Sequence, residues 1–247
     1  MLKEIKPMRD FFDTPVKSGI LPETKHISLD EKNEPFVDIE AFSEGKIKVN
    51  MQYKAANMPG AVGKAYARKQ VAEMLMKAHM LLPTGYTFEI LDAWRPYEVQ
   101  LHLFNTYKND LVRDNPCLLK LSEEELIKKV CEFVSYPDKS KRLSFVHSSG
   151  GAIDLTILDE KGKALDMGTA FDDFTDKAYT SWFEENGKDE TVIKNRRLLY
   201  NVMTSVGFTN YPAEWWHYDF GDVFWAFYSG ENAVFASEYE MHNLVVG

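Results

Sequence analysis

The chain is 247 residues long, 45% apolar and 13% aromatic, with a formal net charge of -9. That length suits one large domain with a real core, which excludes a disordered chain. The acid excess argues against nucleic acid or an anionic membrane surface as partner, and no run of about 18 apolar residues exists to span a bilayer.

In chain order, MLKEIKPMRDFFDTPVK mixes charges into its few apolar residues, unlike a signal peptide. The expectation is therefore a soluble, cytoplasmic protein with neither nucleic acid nor membrane as partner. Residues 1–48 carry no long periodic pattern and read as an extension wrapping the main body. Residues 64–82 read as an amphipathic helix with Ala67, Val71, Met74, Leu75 and Ala78 on one face, ended by Pro83 and Gly85. YTFEILDAW, 86–94, is a strand candidate, rich in aromatic and branched residues. Pro96 disfavours a helical Arg95, so a helix restarts after it and carries Val99, Leu103 and Phe104 inward. Ser122 with Glu125 forms a capping-box signature for a helix reaching about residue 134. AIDLTIL reads as a strand, 190–206 as a helix stopped by Gly207, and 214–220 as the last strand. This irregular alternation, without a Gly-rich nucleotide turn, indicates an α+β fold. It forms a single domain over 49–220, with 221–247 as a tail packed on it.

VHSSGGAIDL sets His147 seven positions before Asp154. In a strand, Ala152, Asp154 and Thr156 share one face, and Ile153, Leu155 and Ile157 the other. The apolar face packs on the core and Asp154 faces a cleft, while Gly150 and Gly151 permit the sharp turn that brings imidazole and carboxylate together. A surface loop and a polar strand face explain the pair equally well. EWWHYDF adds His217, with Glu214 three positions before it. Two histidines and a carboxylate are a zinc ligand set that leaves the fourth position to water. A nearby glutamate outside the set can take that water's proton. In a strict strand, Glu214 and His217 face opposite sides, so sharing one site requires a bend. Arg95, in LDAWRPYE, offers a guanidinium for an oxyanion, or a partner for Asp92.

HSSGGAIDLT, DMGTAFD and EWWHYDF, in this order and with LDAWRP upstream, resemble the D-alanyl-D-alanine dipeptidases of the vancomycin-resistance type. These are zinc D,D-peptidases that share the hedgehog fold, and the resemblance covers roughly residues 50 to 220. It implies a central antiparallel sheet flanked by helices and one zinc ion (Zn2+) held by His147, Asp154 and His217. It further implies that Glu214 is the general base and acid, that Arg95 stabilises the transition state, and that Asp172 and Tyr53 hold the amino group of a small D,D-dipeptide. Such sequences usually carry a serine two positions before the first zinc histidine. Here that position is Phe145, and Ser144 lies one further away. Two other readings stand beside the dipeptidase: a cell-wall D,D- or L,D-carboxypeptidase or endopeptidase of the same fold, and a zinc-bearing binding module without turnover.

His102 and His79 read as structural or surface residues, and His26 and His242 receive no role. Trp215 and Trp216 read as core and cleft-wall packing. SEEELIKK and the acidic stretch near 184–190 read as solvated. Cys117 and Cys131 read as free thiols packed near a helix.

Overall fold

The computed structural model describes residues 8–131, 134–187, 189–240 and 244–245, so His242 lies outside the described residues. In chain order the elements begin with α1 Met8–Asp13, β1 Phe36–Asp38, α2 Ile39–Phe42, β2 Lys48–Val49, α3 Gln52–Ala55, β3 Tyr66–Arg68, α4 Lys69–His79 and β4 Thr87–Asp92. They continue with α5 Tyr97–Asp114, α6 Glu123–Val130, β5 Ala152–Leu158, α7 Trp182–Asn186, α8 Glu190–Ser205, β6 Thr209–Asn210, β7 His217–Asp219, α9 Val223–Ser229 and β8 Leu244–Val245.

The alternation in AIDLTIL decides the architecture. β5 is the middle strand of a five-stranded sheet ordered β2-β4-β5-β7-β6. Its pairings with β4 and β7 are antiparallel, and only the edge pair β2–β4 in this sheet is parallel. Ile153, Leu155 and Ile157 join Phe88, Ile90 and Tyr218 from the neighbouring strands in the main core. Val71, Met74, Leu75 and Ala78 of α4 and Leu198, Leu199, Val202 and Met203 of α8 complete that core. The fold is thus α+β, with helices covering a mostly antiparallel sheet. None of the described helices is long and apolar enough to cross a membrane.

Several elements match the sequence reading. Ser122 and Glu125 form both bonds of the capping box, α8 covers Glu190–Ser205 of the helix read over 190–206, and Gly207 takes φ 109° past its end. Others differ. The helix expected over 64–82 starts only at Lys69, because Tyr66–Arg68 pairs as a strand with Phe36–Asp38. The helix through 134 ends at Val130, although Val134 N still bonds Val130 O at 3.0 Å. Leu103 is only half-buried: it packs against a small second core of Phe104, Val130 and Val134 and also borders a cavity. Cys117 and Cys131 are free but exposed rather than packed. Glu184 is not solvated: it pairs with Arg197 and accepts the Val16 N–H at 3.2 Å.

The described residues of the extension, 8–48, are tied to the rest at several points. Phe11 of α1 is buried in the main core, and Asn201 of α8 donates to the carbonyls of Phe11 and Thr14. β1 is the centre of a second sheet, β3-β1-β8. Buried Arg68 locks that sheet to the site loop by donating to the carbonyls of Ser149, Glu34 and Ala236.

The turn into β5 depends on glycine. Gly150 has φ 73°, and a Cβ there would lie 2.3 Å from the Phe36 ring. Gly150→Ala is expected to cost about 2–5 kcal/mol, from left-handed strain plus overpacking. Equilibrium urea unfolding measures it, and a loss within the roughly 0.5 kcal/mol of ordinary surface changes would contradict this reading of the turn.

Candidate active site

Strand register assembles the site. Asp154 of β5 stands directly opposite His217 of β7 on one side and Asp92 of β4 on the other. Residues paired in this way share a sheet face. On β7, Tyr218 points into the core, which leaves His217 and Asp219 on the site face. On β4, Ile90 points into the core, and strict alternation would send Asp92 after it. A register irregularity between Ile90 and Asp92 turns Asp92 to the site instead.

His147 arrives from a short 3-10 helix, Val146–Ser149. Its carbonyl accepts the backbone N–H of Arg95 at 3.2 Å, which fixes the segment after β4 to the segment before β5. The strand expected over 214–220 is shorter than read, starting at His217. The chain before it turns, with Glu214 N bonding Tyr211 O at 3.1 Å and His217 N bonding Glu214 O at 3.3 Å. That turn is the bend needed to bring the Glu214 carboxylate beside His217.

His147, Asp154 and His217 are buried, and one ligand atom from each lies within 4.8 Å of the others. His147 Nε2 is 3.3 Å from Asp154 Oδ2 and 3.3 Å from His217 Nδ1. His217 Nδ1 is 2.9 Å from Asp154 Oδ1. Each imidazole is held from behind by its other nitrogen. His147 Nδ1 is 2.8 Å from the Ala93 carbonyl, and His217 Nε2 is 2.8 Å from Asp219 Oδ1. Acceptors at the rear nitrogens fix each tautomer with its free lone pair toward the cluster, as in outer-sphere support of metal-binding histidines. Two neutral imidazoles and one carboxylate, so oriented, fit a divalent zinc-like ion with one open position.

The surrounding charges are arranged around this cluster. Burial alone would lift the Asp154 carboxyl, but His147 and His217 outweigh it and hold it well below the usual carboxylate range. Desolvation opposes a charge on His217, yet Asp219 and Asp154 raise its proton affinity. Burial pushes Glu214 up to about 8, with His217 pulling the other way. Its Oε2 is 3.6 Å from His217 Nδ1. Arg95 does pair with Asp92, through Nε at 2.8 Å, and donates Nη1 to Gln100 Oε1 at 2.7 Å. These two bonds leave Nη2 facing the site, 3.5 Å from Asp154 Oδ2 and 3.3 Å from the Tyr53 hydroxyl. Desolvation works against the Arg95 charge, but facing Tyr53, Asp92 and Asp154 hold it firmly protonated. Asp172 takes φ 58°, unusual for a residue other than glycine. It accepts from the Tyr53 hydroxyl at 3.4 Å, and burial pushes it up to about 7.

All seven residues singled out from the sequence therefore border one cavity of about 630 Å³. One stripe of α5 also lines it, through Gln100, Leu103, Thr106 and Tyr107. Trp216 lines it too, with its ring 5.4 Å from Phe171, while Trp215 donates Nε1 to Thr169. Phe145 is buried in the wall, and Ser144 serves the Asp138 loop, accepting its N–H at 3.0 Å. His102 and His26 are exposed and His79 is half-buried beside Phe88, and none of them is among the converging ligands. Sequence reasoning missed Asp219 and Gln100. Asp219 was within reach, because period 2 puts it on the face of His217 in HYD; Gln100 depends on how α5 packs.

The family model described as D-ala-D-ala dipeptidase matches residues 47–237. A D-alanyl-D-alanine dipeptidase of Synechocystis sp. is 26% identical over 230 residues, which cover 87% of this chain and 91% of the relative. One from Enterococcus faecium is 32% identical over 151 residues, covering 60% of this chain and 70% of the relative. A solved vancomycin-resistance D,D-pentapeptidase in complex with Zn(II) aligns at 13% identity and a TM-score of 0.41, over 70% of this chain and 84% of that one.

Proposed function

The chain belongs to the D-ala-D-ala dipeptidase family of metallopeptidases, and from that premise we propose that it hydrolyses D-Ala-D-Ala, or a closely related D,D-dipeptide, to free amino acids. The observation that carries this reading is one cluster: three convergent ligand atoms, with Glu214 and Arg95 at its edge and the Tyr53–Asp172 pair on the same cavity wall. His147, Asp154 and His217 are the residues that would hold one zinc ion. Bound there, zinc supplies Lewis acidity, which brings the pKa of a water to about 7 and polarises a carbonyl.

The remaining roles belong to side chains. Glu214 projects from its turn beside the ligands, where it takes the proton of the attacking water and returns it to the leaving amine. Arg95 turns Nη2 to the oxygen of the scissile carbonyl and stabilises the negative charge that develops on it. Asp92 and Gln100 fix that guanidinium, so no reorganisation is needed as the charge appears. Asp172, with the Tyr53 hydroxyl, receives the ammonium of the dipeptide.

The size of the cavity favours one further reading, a carboxypeptidase that accepts a capped peptide. Comparing D-Ala-D-Ala with N-acetyl-D-Ala-D-Ala separates the two. The dipeptidase reading expects acetylation to lower kcat/KM about 10–100-fold, the loss of one charge-assisted bond. Equal rates would transfer the assignment to the carboxypeptidase.

A further inference from the structure

Away from Glu214, one side of His217 meets an aromatic and aliphatic part of the cavity wall. Tyr211 stacks on Phe224 with ring centroids 5.2 Å apart, and the two rings lie 5.8 and 6.3 Å from the His217 ring. Val146 lines the same cavity and clusters with Phe224 and Ile27. The Tyr53–Asp172 pair lies instead against Phe171 and Arg95.

The outer part of this flank comes from the first 46 residues, outside the segment that the family model matches. The chain from 16 to 24 runs without helix or strand across this side of the cavity. Val16 N bonds Glu184, and Ser18 Oγ bonds Glu185. Gly19 lies so near Pro212 that a Cβ would stand 2.4 Å from its ring. The Ile20 carbonyl accepts the Tyr228 hydroxyl at 2.9 Å. Beyond these four ties, Leu21, Pro22 and Thr24 line the cavity, and Leu21 remains 45% exposed at its mouth. The whole cavity, from the α5 stripe across the ligand cluster to this flank, measures about 630 Å³, in the range of sites for ligands larger than one with two methyl side chains.

We propose that Leu21 and Pro22, with Tyr211, Phe224 and Val146, form the subsite for the C-terminal residue of the substrate. This subsite takes an apolar side chain larger than methyl. The inference rests on the dipeptidase reading, in which the amino end lies at Tyr53 and Asp172 and the chain continues past the metal cluster. It makes the preferred substrate class D,D-dipeptides with a bulky apolar C-terminal residue. The strap from the extension then acts as a specificity wall.

The test is kcat/KM for D-Ala-D-Ala, D-Ala-D-Phe and D-Ala-D-Glu with the full chain and its Leu21→Trp and Leu21→Ala variants. The wild type is expected to cleave D-Ala-D-Phe at least as well as D-Ala-D-Ala, and D-Ala-D-Glu poorly. Leu21→Trp fills the subsite and shifts the Phe-to-Ala ratio toward alanine by about tenfold or more, the scale of a methylene or two in an apolar pocket. Leu21→Ala, which cannot crowd the subsite, must not shift the ratio in that direction. A ratio unmoved by Leu21→Trp, or a wild type that strongly prefers D-Ala-D-Ala, overturns the subsite while leaving the dipeptidase reading intact. No turnover of any of the three dipeptides overturns that reading and the subsite with it.

Discussion

Glu214→Gln lowers kcat by about 10²–10⁴-fold, the usual worth of a positioned acid–base group, while one metal ion per chain remains bound. The amide keeps the shape of the side chain and its place in the turn from Tyr211 to His217, but it cannot carry the proton. The ligand cluster does not include Glu214, so its atoms stay converged. Parallel measurement of turnover and of zinc content by atomic absorption checks this. A variant that turns over at the wild-type rate would remove Glu214 from the chemistry. One that is inactive only because it has lost its metal would make it a ligand.

Asp154→Ala produces the opposite split, in which metal binding fails first. Asp154 is the only carboxylate among the three converging ligands, and it bridges the two imidazoles at 2.9 and 3.3 Å. Its removal leaves two histidines converging beside the Arg95 guanidinium with no carboxylate among the converging ligand atoms. Metal affinity is therefore expected to fall by more than the roughly 10–100-fold that loss of an outer partner costs. Asp219→Asn, which removes only the support behind His217 Nε2, supplies the comparison within that range. Competition with a fluorescent zinc chelator measures both. An affinity for Asp154→Ala equal to that of Asp219→Asn would mean that the carboxylate is not a ligand.

What could be read from the chain was local. The β5 alternation, the capping box at Ser122 and the glycine stop after α8 each depend on a few adjacent residues. Tyr66–Arg68 was misread as helix because its strand partner, Phe36–Asp38, lies 28 to 32 residues away along the chain. The shortened β7 has the same kind of origin: the bonds that bend 211–217 into a turn are set by tertiary placement and not by the β-rich composition of EWWHYDF. The His147–Asp154–His217 cluster was legible because its parts sit in two short motifs, and cross-strand register then superposes them. Asp92 looked like a competing partner for Arg95. In the fold it is the anchor that aims the guanidinium, after an irregularity in β4 turns it to the site. The wall at Leu21 to Thr24 left no local signal, since it is held in place by ties to residues distant in the chain: Glu184, Glu185, Pro212 and Tyr228.

The central claim is that this cluster hydrolyses a D,D-dipeptide with zinc bound. Release of free D-alanine from D-Ala-D-Ala by the purified chain tests it most directly, measured as isolated, after chelation, and after zinc is restored. The expected result is release that the chelator abolishes and zinc recovers. Release that persists at full rate in metal-free protein, or none from protein carrying one zinc ion per chain, would contradict it.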